Sequence, residues 1–208
     1  MLSHIFCCIF LFHILLCIQA LYKKRCNILF QNVASNVVCY MVNGGINMST
    51  AQPIRNIDEL EAFRRFYLDN EPNLRNYALI CLGVNSALRI SDLLELRWKD
   101  VYDIKEKHFR KHLVTTEKKT GKETRIAINK STRKGLSRYM ESLDDVTGEG
   151  YIFPGRYNNT ALSRSQAFRI IKHAADILNL ENGISCHSMR KTFGYYAWKC
   201  GTPPAILM

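Results

Sequence analysis

The sequence predicts a mainly α-helical fold with a small antiparallel β-hairpin or sheet, an α+β class. Apolar residues recur at helical spacing over most of residues 56–199, which is typical of packed amphipathic helices. Two short β-type runs, His112–Thr116 and Thr124–Ile128, flank a turn that contains Thr-Gly. With 208 residues, 47% hydrophobic and 23% charged, the chain has the composition of a folded domain with one core.

The first predicted helix covers IDELEAFRRFYL, with Asn56 as its N-cap and Glu59 completing a capping box. Asn70-Glu-Pro-Asn ends it. One face of this helix is apolar and is expected to be buried: Ile57, Leu60, Phe63, Phe66 and Tyr67.

Further helices follow on both sides of the hairpin. A buried helix is predicted from Leu74 to Leu82, and the GVNSALR turn leads into a third helix capped by Ser91, with Asp92 and Glu95 near its positive end. After the hairpin, Ser131 is predicted to cap a helix through Met140, and Ser163 to cap a helix over SRSQAFRIIKHAADIL. The last predicted helix, HSMRKTFGYYAWKCG, begins at Ser185 or His187.

Charge and cysteine usage limit the classes of function. The formal net charge is +11, and the surplus of bases remains after the N-terminal Lys23–Arg25 is set aside, which favours a polyanionic partner; a basic solvated surface explains it equally well. No CxxC pair occurs, so neither a disulfide framework nor a zinc site is predicted, and Cys81 is expected to be a buried free thiol. We predict no metal and no cofactor, and a reducing cytoplasm.

Residues 1–47 differ from the rest and form a hydrophobic leader. Ile5–Tyr22 is almost wholly apolar and just reaches the length of a membrane-spanning helix, with the bases of Lys23–Arg25 after it. We favour translation from Met48, which leaves the leader outside the functional protein. The alternative is an N-terminal anchor, for which the positive-inside preference keeps the domain of residues 48–208 cytoplasmic.

Three motifs carry candidate chemistry, although each has a structural explanation by itself. Arg89 in LRISD could simply pair with Asp92, and Lys119 in KKTGK could be a solvated turn lysine. His187 and Arg190 share one helix face at i, i+3 spacing, and the histidine could cap that helix.

Taken in order, these motifs resemble the catalytic domain of the tyrosine recombinases, the phage-integrase family. The resemblance is dense between Arg75 and Arg190 and includes LRISDLLELRW, the EKKTGKETR hairpin, YIFP with the helix after it, and HSMRK. It implies site-specific recombination or integration of DNA by strand breakage and rejoining through a 3′-phosphotyrosine. It also implies a double-stranded DNA partner and tetramers on two duplexes, although assembly is in doubt for this chain.

The resemblance assigns a catalytic role to each motif residue. Arg89 and Arg190 would bind the non-bridging phosphate oxygens with charge-assisted hydrogen bonds and need no metal. Lys119 would protonate the leaving 5′ oxygen as general acid, and His187 would accept the proton of the nucleophile or donate to the phosphate. Asp92 would orient Arg89.

Additional DNA contacts are expected at the hairpin tip, from Lys118 and Lys122, and at the helix start formed by Ser163, Arg164 and Gln166. For this helix start, a plain N-cap with solvated side chains is an equal alternative.

One departure from the family concerns the nucleophile. Family members place a second His or Trp and then the nucleophilic Tyr beyond HxxR, but this sequence ends at Met208. Tyr195 and Tyr196 lie close after Arg190, and we predict that they belong to an apolar and aromatic core. The expectation is a truncated recombinase that binds DNA without cleaving it. A non-catalytic DNA-binding module and a membrane-anchored basic protein remain the alternatives.

Overall fold

The secondary structure matches the predicted class: helices joined by a few short antiparallel strands. The computed structural model describes residues 51–116, 121, 123–157, 160–180 and 183–203. The first four helices are α1 Ile57–Asp69, α2 Leu74–Val84, α3 Ile90–Leu94 and α4 Trp98–Val101. The strands are β1 Tyr102–Asp103, β2 His108–Phe109, β3 His112–Thr116 and β4 Glu123–Ala127, and the later helices are α5 Lys130–Met140, α6 Arg164–Ile177 and α7 Cys186–Lys199.

Short polar side chains begin most of the longer helices. The side-chain oxygens of Asn56, Asn73, Asn129 and Ser163 each accept a hydrogen bond from a backbone N–H of the turn that follows. This satisfies donors that have no partner inside the helix. The predicted caps at Asn56 and Ser163 are therefore confirmed, and Ser185 is the residue that precedes α7.

Two predicted caps are each wrong by two residues. Helix α3 begins at Ile90 with Arg89 in the N-cap position, so Ser91 lies inside its first turn. Helix α5 is capped by Asn129, and Ser131 instead accepts a hydrogen bond from the Arg64 guanidinium of α1. Both serines have the right chemistry for a cap. At the start of α5 a tertiary contact favours Asn129, which also donates to the Asn85 side chain, 2.9 Å away, at the end of α2.

The predicted hairpin is present as an antiparallel pair. Strands β3 and β4 pair from His112 with Ala127 to Thr116 with Glu123, and Gly121 in the connection has φ +66°, a left-handed conformation that glycine adopts without strain. A second, shorter antiparallel pair joins β1 to β2. The turn residues that include Lys118, Lys119 and Lys122 lie outside the described residues.

Helix α2 is the centre of the core and packs against α1, α5 and α7. From Asn76 to Val84 every residue of α2 is buried, as expected for a helix with neighbours on several sides. The face of α1 that turns toward it buries Leu60, Phe63, Phe66 and Tyr67, whereas Ile57 is 60% exposed. The prediction for Ile57 was therefore wrong: this first residue of α1 shares the apolar spacing but is not covered by a neighbouring element.

Close approach of α5 to α2 depends on a glycine. A Cβ added to Gly135 would stand 3.0 Å from the Cβ of Cys81, closer than most real contacts allow. Cys81 is buried and free, as predicted, and its burial raises the pKa of its thiol.

Helix α7 is fastened to the segment that precedes α1. The buried hydroxyl of Thr192 accepts a hydrogen bond from the Ile54 backbone N–H at 2.9 Å and donates to the Ser188 carbonyl at 2.8 Å. The Lys191 ammonium donates to the Ala51 carbonyl at 2.7 Å. These contacts tie the N-terminal segment to the helix that carries the HxxR motif.

Replacing Thr192 by Val should destabilise the domain by about 1–3 kcal/mol, because the isosteric side chain leaves the buried Ile54 N–H without an acceptor. The measurement is the free energy of unfolding from urea titration. Thr147→Val, at an exposed loop position, serves as the control and should change it by less than about 0.5 kcal/mol. Equal stability of the two variants would show that this hydrogen bond contributes nothing.

Among the described residues, no helix combines the length and the apolar character that a bilayer crossing requires. The predicted leader, residues 1–47, lies outside the described part of the chain.

Candidate phosphate-binding site

Arg89 lies at the junction between α2 and α3. Its backbone carbonyl accepts hydrogen bonds from the N–H groups of Asp92 and Leu93, at 3.0 and 2.9 Å, so it begins α3 although its side chain makes no cap bond. The side chain is half-buried, and its Nη1 atom is closed off from solvent. A guanidinium held in this way at a helix start has little freedom to lose on binding an anion.

His187 and Arg190 lie in the first turns of α7, as the HxxR spacing predicts. The His187 side chain is exposed and that of Arg190 is half-buried, whereas Ser188 and Met189 between them are buried. The buried pair fixes the rotation of α7 about its axis, so that the histidine and the arginine face away from the core on the same side.

Side chains of α3 and α7 both approach Gly83, near the end of α2. A Cβ added to Gly83 would lie 2.6 Å from the Met189 sulfur and 3.7 Å from a Leu93 methyl carbon. Met189 precedes Arg190 directly, and the N–H of Leu93 is bonded to the Arg89 carbonyl. Side chains adjacent to the candidate groups thus border the same residue of α2, and the convergence of Arg89, His187 and Arg190 on one phosphate stays a prediction.

Asp92 contacts its sequence neighbour. The Ser91 hydroxyl and the Asp92 Oδ1 atom are 3.2 Å apart and form a hydrogen bond. Asp92 lies in the first turn of α3, and the role of its carboxylate in orienting the Arg89 guanidinium stays a prediction.

The second predicted contact surface is the start of α6, where two of the three side chains form hydrogen bonds with the helix's own backbone. The Ser163 hydroxyl accepts from the Gln166 N–H at 3.2 Å, and the Gln166 side-chain oxygen accepts from the Ser163 N–H at 3.1 Å. This reciprocal capping box supports the plain N-cap interpretation for both residues. Arg164, in contrast, is exposed.

Sequence reasoning missed two neighbours of Arg164 on the exposed face of α6. Phe168 is 45% exposed, and Arg169 is exposed beside it. Together with Arg164 and Ser165 they line an open surface depression. The four-residue spacing of Arg164 and Phe168 was the available signal, and an aromatic ring between two guanidinium groups is suited to contact nucleic-acid bases.

The tyrosines of α7 are only half-buried, which partly corrects their assignment to the core. Their rings pack edge to face with centroids 5.2 Å apart, and Trp198 nearby is 43% exposed. The Tyr196 hydroxyl donates to the Arg55 carbonyl at 3.0 Å. Burial is the main cause that raises the pKa of the Tyr196 hydroxyl, and the neighbouring Tyr195 raises it further; both disfavour the phenolate form.

The described part of the chain contains no group of three or more His, Cys, Asp or Glu side chains arranged to hold a metal ion. The candidate residues supply guanidinium and imidazole groups near the starts of α3 and α7. Such groups bind a phosphate through charge and paired N–H donors.

Fold and site together define the class of protein: the helical arrangement is that of tyrosine-recombinase catalytic domains. XerA recombinase superposes with a TM-score of 0.60 at 19% identity, over 76% of this chain and 55% of that chain. Lambda integrase bound to DNA superposes with a TM-score of 0.58 at 18% identity, over 79% of this chain and 56% of that chain. Tn1549 transposon integrase in complex with circular intermediate DNA superposes with a TM-score of 0.58 at 16% identity, over 86% of this chain and 65% of that chain. This chain therefore spans between half and two thirds of each of these solved chains.

The sequence comparison gives the family. Residues 56–208 match the model of the phage integrase family. The chain is 37% identical to the probable integrase/recombinase YoeC of Bacillus subtilis (strain 168) over 152 residues, which cover 73% of this chain and 77% of that protein. The protein belongs to the phage integrase family.

Proposed function

We propose that this chain binds duplex DNA by holding a backbone phosphate between Arg89, His187 and Arg190, as part of site-specific recombination. The observation that supports the proposal is that two side chains, Met189 of the HxxR motif and Leu93 of the helix that Arg89 begins, both border Gly83 of α2. Membership of the integrase family supplies the reaction class. At the hairpin, Lys119 and the flanking Lys118 and Lys122 would make additional contacts with the DNA.

The chemistry of strand transfer explains why this set of residues is suited to the task. Attack on a phosphodiester builds negative charge on the non-bridging oxygens, and two guanidinium groups stabilise that charge in place. His187 is exposed, so it can reach the phosphate or the attacking group without rearrangement of α7. Integrases with this fold have been solved bound to DNA, which supports DNA as the partner of this chain as well.

A finer part of the proposal concerns cleavage: neither Tyr195 nor Tyr196 acts as a nucleophile, and this polypeptide binds DNA without cutting it. The Tyr196 hydroxyl is engaged with the Arg55 carbonyl, and its raised pKa makes the reactive phenolate scarcer. A tyrosine nucleophile needs the opposite environment, one that helps its proton to leave.

Binding is tested by fluorescence anisotropy with labelled duplexes at a series of salt concentrations. We expect affinity to fall steeply as salt rises, because each neutralised phosphate releases condensed counterions. Binding that is insensitive to salt, or no binding in low salt, would contradict the proposal.

Tyr196→Phe should keep DNA affinity within about twofold of the parent chain, and it should not change the amount of covalent protein–DNA intermediate that is trapped. The assay uses a nicked duplex that traps a covalent protein–DNA intermediate, which is then read on a denaturing gel. We expect no trapped species with the parent chain, Tyr195→Phe or Tyr196→Phe. A covalent band with the parent that disappears in either variant would identify that tyrosine as the nucleophile.

A further inference from the structure

Residues 51–54 precede α1 and lie along α7, and we call them the α7 strap. The Ile54 backbone N–H donates to the Thr192 hydroxyl at 2.9 Å, in a buried hydrogen bond. The Ala51 carbonyl accepts from the Lys191 ammonium at 2.7 Å. The strap therefore contacts the two residues that directly follow the HxxR motif.

The sequence of the strap favours a stiff, extended backbone. Pro53 has a fixed φ angle, and it biases Gln52 before it away from helical conformations. The Ile54 side chain is 2% exposed and belongs to the same buried apolar cluster as Met189. A stiff segment that is anchored in the core loses little conformational entropy on ordering, so it is suited to hold α7 in one place.

The inner face of α7 carries two hydroxyl groups at positions where apolar side chains would cost less to bury. Ser188 and Thr192 are one turn apart and fully buried. The Thr192 hydroxyl donates to the Ser188 carbonyl at 2.8 Å, and the Ser188 hydroxyl accepts from the Ser185 N–H at 3.1 Å. A series of hydrogen bonds thus connects the strap to the start of α7.

These hydrogen bonds fix the position of α7 more closely than its apolar contacts do, because a hydrogen bond weakens steeply with distance and angle. The Met189 side chain beside Gly83 is flexible and tolerates small shifts of the helix. The bond from Ile54 to Thr192 does not. Rotation or sliding of α7 would break it and leave a buried N–H group without an acceptor.

Thr192 and Arg190 lie on opposite sides of α7. Two positions along a helix correspond to about 200° around its axis. Thr192 is buried against the strap, whereas Arg190 is half-buried and His187 is exposed. A rotation of α7 that the strap prevents would therefore displace the guanidinium and the imidazole together.

We propose that the α7 strap positions Arg190 and His187 for the phosphate, and that Thr192 is the positioning residue through which it acts. This inference rests on the function proposed above and adds what holds the HxxR residues in place. Thr192 itself does not contact DNA. Lys191 follows Arg190 in a basic motif, but it serves to anchor the strap through the Ala51 carbonyl.

The test measures the DNA affinity of the full chain by fluorescence anisotropy over a salt series, and circular dichroism establishes that each variant is folded. Thr192→Val should weaken binding by about 3- to 10-fold. It removes no charge, yet the dependence of affinity on salt should become shallower, towards that of Arg190→Ala, because a phosphate contact is loosened. Thr192→Ser keeps the hydroxyl and should restore both the affinity and the salt dependence.

A double-mutant cycle separates positioning from a general loss of stability. In the Arg190→Ala background, Thr192→Val should change affinity by less than about twofold, because the contact on which it acts is already absent. Ile152→Val is the matched control, since Ile152 is fully buried in the part of the core that does not include Ile54. It should keep the affinity and the salt dependence of the parent chain.

Hydrogen exchange of the parent chain gives a second measurement that needs no substitution. If the strap favours DNA binding, DNA must favour the strap contact by the same factor. The Ile54 amide should therefore exchange about 3- to 10-fold more slowly when DNA is added.

Three results would each overturn the role of the strap alone, provided that Arg190→Ala still causes a large loss of affinity. They are parent-like affinity and salt dependence of Thr192→Val, an equal effect of Thr192→Val with and without Arg190, and an Ile54 amide whose exchange DNA leaves unchanged. Equal losses for Arg190→Ala and for Lys199→Ala, at the exposed far end of α7, would overturn the phosphate site and the role of the strap together.

Discussion

Replacing Arg190 by Ala should reduce affinity for duplex DNA by about 10- to 100-fold, the loss expected for charge-assisted hydrogen bonds to a phosphate. The half-buried position of Arg190 near the start of α7 supports a large effect, because a partly buried side chain has less conformational freedom to lose on binding. The DNA affinity of Arg190→Lys should lie between that of the parent chain and that of Arg190→Ala, since an ammonium group keeps the charge but cannot donate two parallel hydrogen bonds. The measurement is fluorescence anisotropy at constant salt.

Lys199→Ala provides the matched control for this substitution. It removes one positive charge from the exposed far end of the same helix, where no phosphate contact is proposed. We expect at most a few-fold loss, through the general electrostatic contribution. If Arg190→Ala and Lys199→Ala weaken binding equally, Arg190 contributes charge alone and the phosphate site is not where we place it.

The second large effect concerns stability: Phe66→Ala should lower the free energy of unfolding by about 3–5 kcal/mol. Phe66 is fully buried on α1, and its ring packs edge to face on Tyr67 and on His173 of α6, with centroids 4.9 and 6.0 Å apart. Truncation leaves a cavity between two helices that cannot easily collapse. Since domains of this kind are stable by only about 5–15 kcal/mol, much of the stability would be lost.

Phe168→Ala tests whether burial causes this loss. Phe168 is 45% exposed on α6, so its truncation opens no cavity and should cost less than about 1 kcal/mol. Urea titration followed by circular dichroism measures both variants. A Phe66→Ala variant that is as stable as Phe168→Ala would show that the packing between α1 and α6 is not a major part of the core.

Local features were the most predictable part of the fold. The hairpin between His112 and Ala127 and the N-caps at Asn56 and Ser163 were readable, because turn chemistry and side-chain periodicity act over a few residues. The caps placed at Ser91 and Ser131 were wrong. For α5, distant partners account for the difference, because Ser131 accepts a hydrogen bond from Arg64 and Asn129 donates one to Asn85.

For the candidate site as well, some features were predictable from the sequence and others were not. The order of Arg89, Lys119 and the HxxR pair along the chain was enough to indicate the recombinase resemblance, and the family comparison confirms the class. The exposure of Phe168 beside Arg164 was not predicted. Periodicity shows that two residues share a helix face, but not whether another element covers that face.

The sequence by itself determined the class of fold, the order of the elements and the family, because these follow from short-range patterns and from motifs in series. Only the tertiary structure decided that Met189 of α7 and Leu93 of α3 both border Gly83, and that Arg64 of α1 reaches Ser131 of α5. The physical reason is that contacts between helices depend on side chains far apart in sequence. Their pairing is fixed when the whole core packs, and no local pattern encodes it.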